Sequence, residues 1–208
     1  MEIKSLIKDG YDECINIASE YLKMDKIVCF PTETFYAIGT RYDYEEGLER
    51  IAELKERPGA KAFSLIIGRK EDLLTIVKDI EPLAEKIIDR FWPGALTLVF
   101  NAREGLPALI RDVNDTVAVR IPDRSFALDL ARRVDFPITA TSANRSGMPP
   151  SRSVEDIKNY FAEGIDLVID GGVSRSKYPS SIIKINEDKI MVLREGELSE
   201  SDIYSKLR

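Results

Sequence analysis

Histidine is absent from all 208 residues. That excludes Ser-His-Asp and Cys-His nucleophilic catalysis, histidine-ligated zinc hydrolysis and phosphohistidine transfer. Any chemistry must rest on positioning and charge, or use a carboxylate, lysine or tyrosine to handle protons. Cysteine is nearly absent too. Cys14 and Cys29 are too few and too far apart for a metal site or redox pair, and read as reduced, buried thiols. No segment approaches the roughly 18 consecutive apolar residues of a membrane span, and residues 1–9 carry no signal-peptide-like apolar run. The expected location is therefore cytoplasmic. No GxxxxGK[ST] match occurs, which excludes a P-loop NTPase. Basic residues do not prevail either: Lys plus Arg number 30 against 36 for Asp plus Glu, a formal charge of −6. That excludes coating nucleic acid by bulk charge but leaves room for a local basic cleft.

What is present is an ordinary globular balance, 44% hydrophobic and 32% charged. Without repeat, low-complexity tract or linker, residues 1–208 read as one domain. Helical and strand patterns alternate, implying an α/β or α+β fold. Cys14, Ala18, Tyr21 and Leu22 give helical spacing within 10–24, followed by a buried strand at 27–30 stopped at Pro31. Asp43 and Glu46 resemble a capping box opening a helix whose face continues through Leu48, Ile51, Ala52 and Lys55, with Pro58 as its stop. Further strands are expected at 63–67, 96–100, 116–121, 138–141, 167–170, 181–185 and 190–194. Helices are expected at 71–78, at 82–91 with Pro82 in its first turn, after a Ser125 cap to about Val134, from Ser153 with Asp156, and from Glu200 to Leu207 with Ser199 as its cap.

Three stretches carry candidate chemistry. In Pro31-Thr32-Glu33-Thr34-Phe35-Tyr36-Ala37-Ile38-Gly39, an extended backbone would place Thr32, Thr34 and Tyr36 on one face at a strand end, where open α/β sheets hold ligands. Ordinary β packing explains the same residues. In Lys55-Glu56-Arg57-Pro58, the proline biases Arg57 out of the helix, so both cations can converge beyond the helix end with Lys61, Arg69 and Lys70 nearby. The alternative is helix C-terminal charge compensation. In Thr141-Ser142-Ala143-Asn144-Arg145-Ser146-Gly147, Ser142 and Asn144 share a face if extended, and with backbone N–H groups can hold phosphate oxygens. A plain polar turn is the alternative. Arg120, ending an apolar strand, suits a two-pronged contact with a carboxylate. Ser180-Ser181 and Arg194 flank further apolar strands.

Seven blocks, in order, resemble the signatures of the YrdC family of threonylcarbamoyl-AMP synthases. They are residues 31–39, Lys55-x-Arg57-Pro58, Phe91-Trp92-Pro93-Gly94-x-Leu96-Thr97, residues 117–122, Ser142-Ala143-Asn144-x-Ser146-Gly147, Asp170-Gly171-Gly172 and Leu193-Arg194-Glu195-Gly196. They run from about residue 26 to 197, and the chain is similar to the short form of that family. The resemblance implies a twisted mixed β-sheet with surrounding helices and a concave active-site cleft. It implies that threonine and bicarbonate form a carbamate that attacks the α-phosphate of ATP, releasing diphosphate. By motif position, Lys55, Arg57, Lys61, Thr116, Ser142, Asn144 and Arg194 would hold ATP, with Lys55, Arg57, Ser142 and Asn144 as the catalytic set. Thr34, Arg120, Ala140 and Ser180 would line the threonine pocket. Magnesium would accompany ATP, with no tightly bound metal. The implied partners are a downstream tRNA threonylcarbamoyl-transferase complex, with weak RNA contact as an option, and no membrane.

Departures exist. Ala37 replaces a usual glycine, Lys61 a frequent asparagine, and Ile66 stands where longer relatives place a histidine. Tyr178-Pro179 precede Ser180 where an acidic residue is common. With Ala62-Phe63-Ser64 these changes resemble YciO-like paralogues, whereas the intact Ser142/Asn144 pair matches the synthases. A basic RNA-binding or ribosome-assembly module and a carbamoyl-handling domain of hydrogenase-maturation type are the competing readings. The second lacks its accompanying zinc-finger or acylphosphatase-like segment.

Overall fold

The computed structural model describes residues 1–56, 61–186 and 189–207. Its strands are β1 (Glu2–Ser5), β2 (Val28–Pro31), β3 (Tyr36–Gly39), β4 (Leu65–Ile66), β5 (Leu96–Asn101), β6 (Thr116–Arg120), β7 (Ile138–Thr139), β8 (Thr141–Ser142), β9 (Leu167–Asp170), β10 (Ser181–Asn186) and β11 (Lys189–Arg194). The α-helices are α1 (Tyr11–Lys23), α2 (Glu45–Leu54), α3 (Pro82–Phe91), α4 (Phe126–Arg133), α5 (Val154–Tyr160) and α6 (Glu200–Leu207). The strands form two mixed sheets, ordered β1-β9-β2-β3-β8 and β11-β10-β5-β6-β4-β7. Among the described residues no helix is long and apolar enough to cross a membrane.

Period-two alternation explains how the first sheet separates two apolar clusters. Val28, Phe30, Leu167 and Ile169 face α1 and α4, while Cys29, Ile38 and Val168 join the cluster that includes α2, α3 and the second sheet. On α1, Cys14, Ala18 and Leu22 recur every four residues and are fully buried, as helical spacing requires. Asp12 and Glu13 in its first turn and Lys23 in its last complement the helix dipole. Ser125 caps α4 by accepting from the Leu128 N–H. Ser153 and Asp156 form a reciprocal capping box on α5, and Ser199 with Asp202 does the same for α6.

Several local expectations are corrected. Asp43 does not cap α2. Its carboxylate is held by Arg41 at 2.6 and 3.1 Å, and Tyr44 takes the cap position without a side-chain bond. The stretch 71–78 is a short 3-10 turn, Lys70–Thr75, because its following residues pair with the end of β5. There the Lys78 N–H donates to Asn101 O, and Val77 bridges Ala102. Only Leu65–Ile66 of 63–67 pairs as strand. The expected strand 138–141 is divided at Ala140: β7 pairs with β4 in the second sheet and β8 with β3 in the first. β1 was not anticipated. It lies parallel to β9 at a sheet edge, held by the backbone ladder, with only half-buried or exposed side chains.

The sheets meet where β3 approaches β7. A Cβ at Gly39 would collide with the Thr139 carbonyl, and Thr40 and Thr139 exchange hydrogen bonds of 2.9 Å there. Glycine at 39 is what permits this approach. A cleft lies between the strand ends that this junction brings together.

Candidate active site

A cleft of about 490 Å³ draws its walls from both sheets. The β2–β3 turn and β8 contribute from the first, and β4, β6, β10 and β11 from the second. Its size falls in the range of small-molecule sites. Lys55, Lys61, Arg120 and Arg194 are among its lining residues, and no Asp or Glu is among those described. A chain of net charge −6 thus concentrates cations at one concavity, which favours an anionic ligand.

Lys55 follows the last residue of α2 and continues its buried face, four residues after Ile51. Its ammonium, almost wholly buried, donates to the carbonyls of Ser142 and Asn144, the latter at 2.7 Å. Its own carbonyl accepts from the Ser146 N–H at 2.9 Å. One residue therefore staples both ends of the 142–146 loop. The loop is not extended beyond β8: the Asn144 N–H turns back to Ser142 O at 2.9 Å. The Asn144 amide nitrogen donates to Arg145 O and Met148 O at 3.0 and 2.5 Å, leaving its buried oxygen without a partner. Ser151 supports the loop from behind through a bond from its hydroxyl to Ala143 O.

Thr32, Thr34 and Tyr36 all line the cleft, but not by extended geometry. Pro31 pairs with Tyr36, so residues 32–35 form a tight turn. The Thr32 hydroxyl donates to Phe35 O at 2.7 Å and accepts from the Thr34 N–H at 3.0 Å. The Ser174 hydroxyl bonds Thr34 O from outside. The Tyr36 phenol points away, donating to Gly172 O at 2.7 Å and accepting from the Gly171 N–H at 2.9 Å. Burial pushes its pKa up to about 12, keeping the donor protonated. The same turn carries Glu33, whose carboxylate pairs with Arg120.

On the second sheet, β6 places Ala118 and Arg120 on its cleft face. Ser180 sits between Thr97 and Arg194: its hydroxyl lies 3.0 Å from the Thr97 hydroxyl and 3.2 Å from Arg194 Nη2. Arg194 also donates Nε and Nη2 to the Ser180 carbonyl at 3.1 and 2.8 Å. Desolvation of that guanidinium, then the charge of Arg120, lower the Arg194 pKa from its ordinary value, although the residue as a whole keeps substantial solvent contact. Ala140, where the chain crosses between sheets, exchanges hydrogen bonds with Ser64 at 2.8 and 3.0 Å.

Of the residues singled out in the sequence, the structure brings Thr34, Lys55, Lys61, Arg120, Ala140, Ser142, Asn144, Ser180 and Arg194 to one cleft. Arg57 lies outside the described residues. Thr116 shares the cleft face of β6 but is not among the lining residues described. Its backbone closes a turn with the Asp112 carboxylate at 2.8 Å. Arg69 and Lys70 are not at the cleft either: Lys70 pairs with Asp89 and Glu85, and Arg69 reaches Arg132 O. Glu33 and Thr97 were not singled out as site residues. A lone hydroxyl within Leu96-Thr97-Leu98-Val99-Phe100 was a legible signal for Thr97. Glu33 had none, since an extended reading turns it away from its threonine neighbours.

The family model Sua5_yciO_yrdC, described as telomere recombination, matches residues 20–196. The chain belongs to the Sua5/YciO/YrdC family. A threonylcarbamoyl-AMP synthase of Pyrococcus abyssi is 39% identical over 189 residues, 91% of this chain and 56% of that protein. One from Klebsiella pneumoniae is 31% identical over 172 residues, covering 82% of this chain and 90% of its own length. The structure of P. abyssi Sua5 complexed with L-threonine superposes with a TM-score of 0.91 at 36% identity, over 99% of this chain and 60% of that one. This chain therefore spans little more than half the length of the P. abyssi protein. The two mixed sheets with flanking helices are the fold of this Sua5/YciO/YrdC family.

Proposed function

We propose that this chain, read as one YrdC-like domain over residues 1–208, is an L-threonylcarbamoyladenylate synthase. The observation that carries the reading is the cationic cleft itself, which is lined by Thr34, Lys55, Lys61, Arg120, Ala140, Ser142, Asn144, Ser180 and Arg194. The threonine-bound Sua5 supports the amino-acid half of the assignment.

In this reading the threonine nitrogen bonds to the carbon of bicarbonate with loss of water, giving a carbamate. A carbamate oxygen then bonds to the α-phosphorus of ATP, and the bond to diphosphate breaks. Arg120 holds the threonine carboxylate, and Thr34, Ala140 and Ser180 shape its pocket. Lys55, Arg57, Lys61, Ser142, Asn144 and Arg194 surround the triphosphate, with Thr116 towards the nucleotide. Cations offset charge gathering on diphosphate, and a stapled loop presents its groups without reorganisation. The Asn144 nitrogen is already committed to two carbonyls, so its free oxygen can accept only from a donor such as a nucleotide hydroxyl or amine. Among the described residues no three His, Cys, Asp or Glu side chains gather to hold a metal ion. Magnesium belongs to the proposal as part of the ATP substrate. The product would pass to a tRNA threonylcarbamoyl-transferase in the cytoplasm.

The test is a mixture of ATP, bicarbonate and threonine analysed by mass. Threonylcarbamoyl-AMP and diphosphate should appear together, and diphosphate release that ignores threonine would sink the reading. Arg120→Lys, which loses the planar fork, should raise the threonine KM about tenfold or more while moving the ATP KM less. Threonine amide should be a poor substrate for the parent.

A further inference from the structure

We propose that Glu33 is the positioning residue that holds Arg120 for the substrate carboxylate, an inference that rests on the function proposed above. Arg120 ends β6 with its side chain 9% exposed, and the Glu33 side chain is 15% exposed. Arg120 Nη1 donates to Glu33 Oε1, and among the described residues the guanidinium has no other hydrogen-bond or ion-pair partner. A guanidinium carries five N–H donors in a planar fork. A single contact to Glu33 anchors one end of the guanidinium and leaves the rest of the fork for a two-pronged carboxylate contact.

The mount for Glu33 is rigid. It sits in the residue 32–35 turn, tied within by the Thr32 hydroxyl and from outside by Ser174. Arg120 lines the cleft and Glu33 does not, so Glu33 acts through Arg120 and not on substrate. The pair also joins the first sheet's hairpin to the second sheet's β6, so the turn carrying Thr34 and the strand carrying Arg120 are held in register. Charge supports the assignment. Without Glu33, a nearly buried guanidinium would have no anion beside it and would feel the like charge of Arg194 across the cleft. It would then turn towards solvent, away from the carboxylate-binding pose.

The opposite role is physically possible: Glu33 could compete with the substrate for Arg120. The two roles predict opposite signs. Glu33→Ala, Glu33→Gln and Glu33→Asp should be made in the full chain, and folding compared by thermal melting. Diphosphate release is then measured with threonine varied, with ATP varied, and with threonine amide. Positioning predicts that Glu33→Ala raises the threonine KM about tenfold or more, as loss of a buried charge partner does. The ATP KM should move less than about twofold, and the preference for threonine over its amide should shrink by the same factor as threonine loses. Glu33→Gln keeps an acceptor of the same shape and should fall between, and it carries the test if Glu33→Ala does not fold. Glu33→Asp should recover less than Glu33→Gln, because its reach is one carbon shorter.

A lowered or unchanged threonine KM in the folded variant overturns the inference, as does an equal rise for threonine and ATP. A parent that releases no threonine-dependent diphosphate removes the proposed function and this inference with it. A parent that treats threonine and amide alike removes Arg120 from the carboxylate. A parent that discriminates, beside a Glu33→Ala variant that discriminates equally, removes Glu33 alone.

Discussion

Adding one methyl group at Gly196 should disable the side of the cleft proposed to hold threonine. A Cβ there would meet the Ser180 carbonyl carbon and oxygen at 2.7 and 2.8 Å and would collide with Pro179 O. These are backbone atoms and cannot swing aside. They are also committed: Pro179 O accepts from the Glu197 N–H at 2.8 Å, and Ser180 O accepts both Arg194 contacts. Overpacking of this kind costs about 1–3 kcal/mol. Parting Arg194 from Ser180 adds part of the roughly 1.5–3 kcal/mol of a charge-assisted hydrogen bond, discounted because Arg194 keeps solvent contact. The sum is about 2–4 kcal/mol. For a chain of 208 residues, about 2–4 °C per kcal/mol applies. Gly196→Ala should therefore melt about 4–16 °C below the parent. Because Ser180 is displaced from Thr97, the threonine KM should rise more than the ATP KM. Thermal melting followed by diphosphate release at varied threonine reads both. A melting point within about 2 °C of the parent, with both KM values unchanged, would refute the close-packing argument.

Arg194→Ala should weaken ATP use about tenfold or more and melt only a few degrees below the parent, because its hydrogen bonds to Ser180 are made by a residue that keeps solvent contact, and Arg57→Ala should weaken ATP use to a similar degree. A variant that unfolds while its folded fraction turns over normally would assign that arginine to structure. Cys14 and Cys29 should titrate as two free thiols per chain in denaturant without reductant, and react slowly in the native state. Both are buried and unpaired, and burial pushes both thiols up and away from the reactive thiolate at neutral pH. Finding no thiol, without intermolecular crosslinks, would contradict this.

Much of the fold was legible because it is written in local periodicity. The spacing of Cys14, Ala18 and Leu22 defines α1, Ser153 with Asp156 caps α5, and the apolar runs at 96–100, 116–121 and 167–170 become β5, β6 and β9. Where periodicity competed with a tertiary partner, the partner prevailed. The stretch after Thr75 left its helical pattern for the end of β5, and Asp43 gave up its cap for Arg41. β1 carries no apolar alternation and exists only because β9 offers a backbone ladder.

The site divides in the same way. Which residue types are candidates for the chemistry was determined by the sequence alone: no histidine, an arginine ending an apolar strand, hydroxyl and amide groups in a polar turn, and seven family-like blocks in order. How they meet was decided by tertiary structure. Thr32 and Thr34 converge because Pro31 pairs with Tyr36 and closes a turn, not because the chain stays extended. Ser142 and Asn144 are held by an ammonium 87 and 89 residues away in sequence. Glu33 meets Arg120 across the same kind of separation. The ion pair in particular spans the two sheets, which close against each other at Gly39 and Thr139. Periodicity reports only on a residue's neighbours within a turn or strand, and it carries no term for that closure.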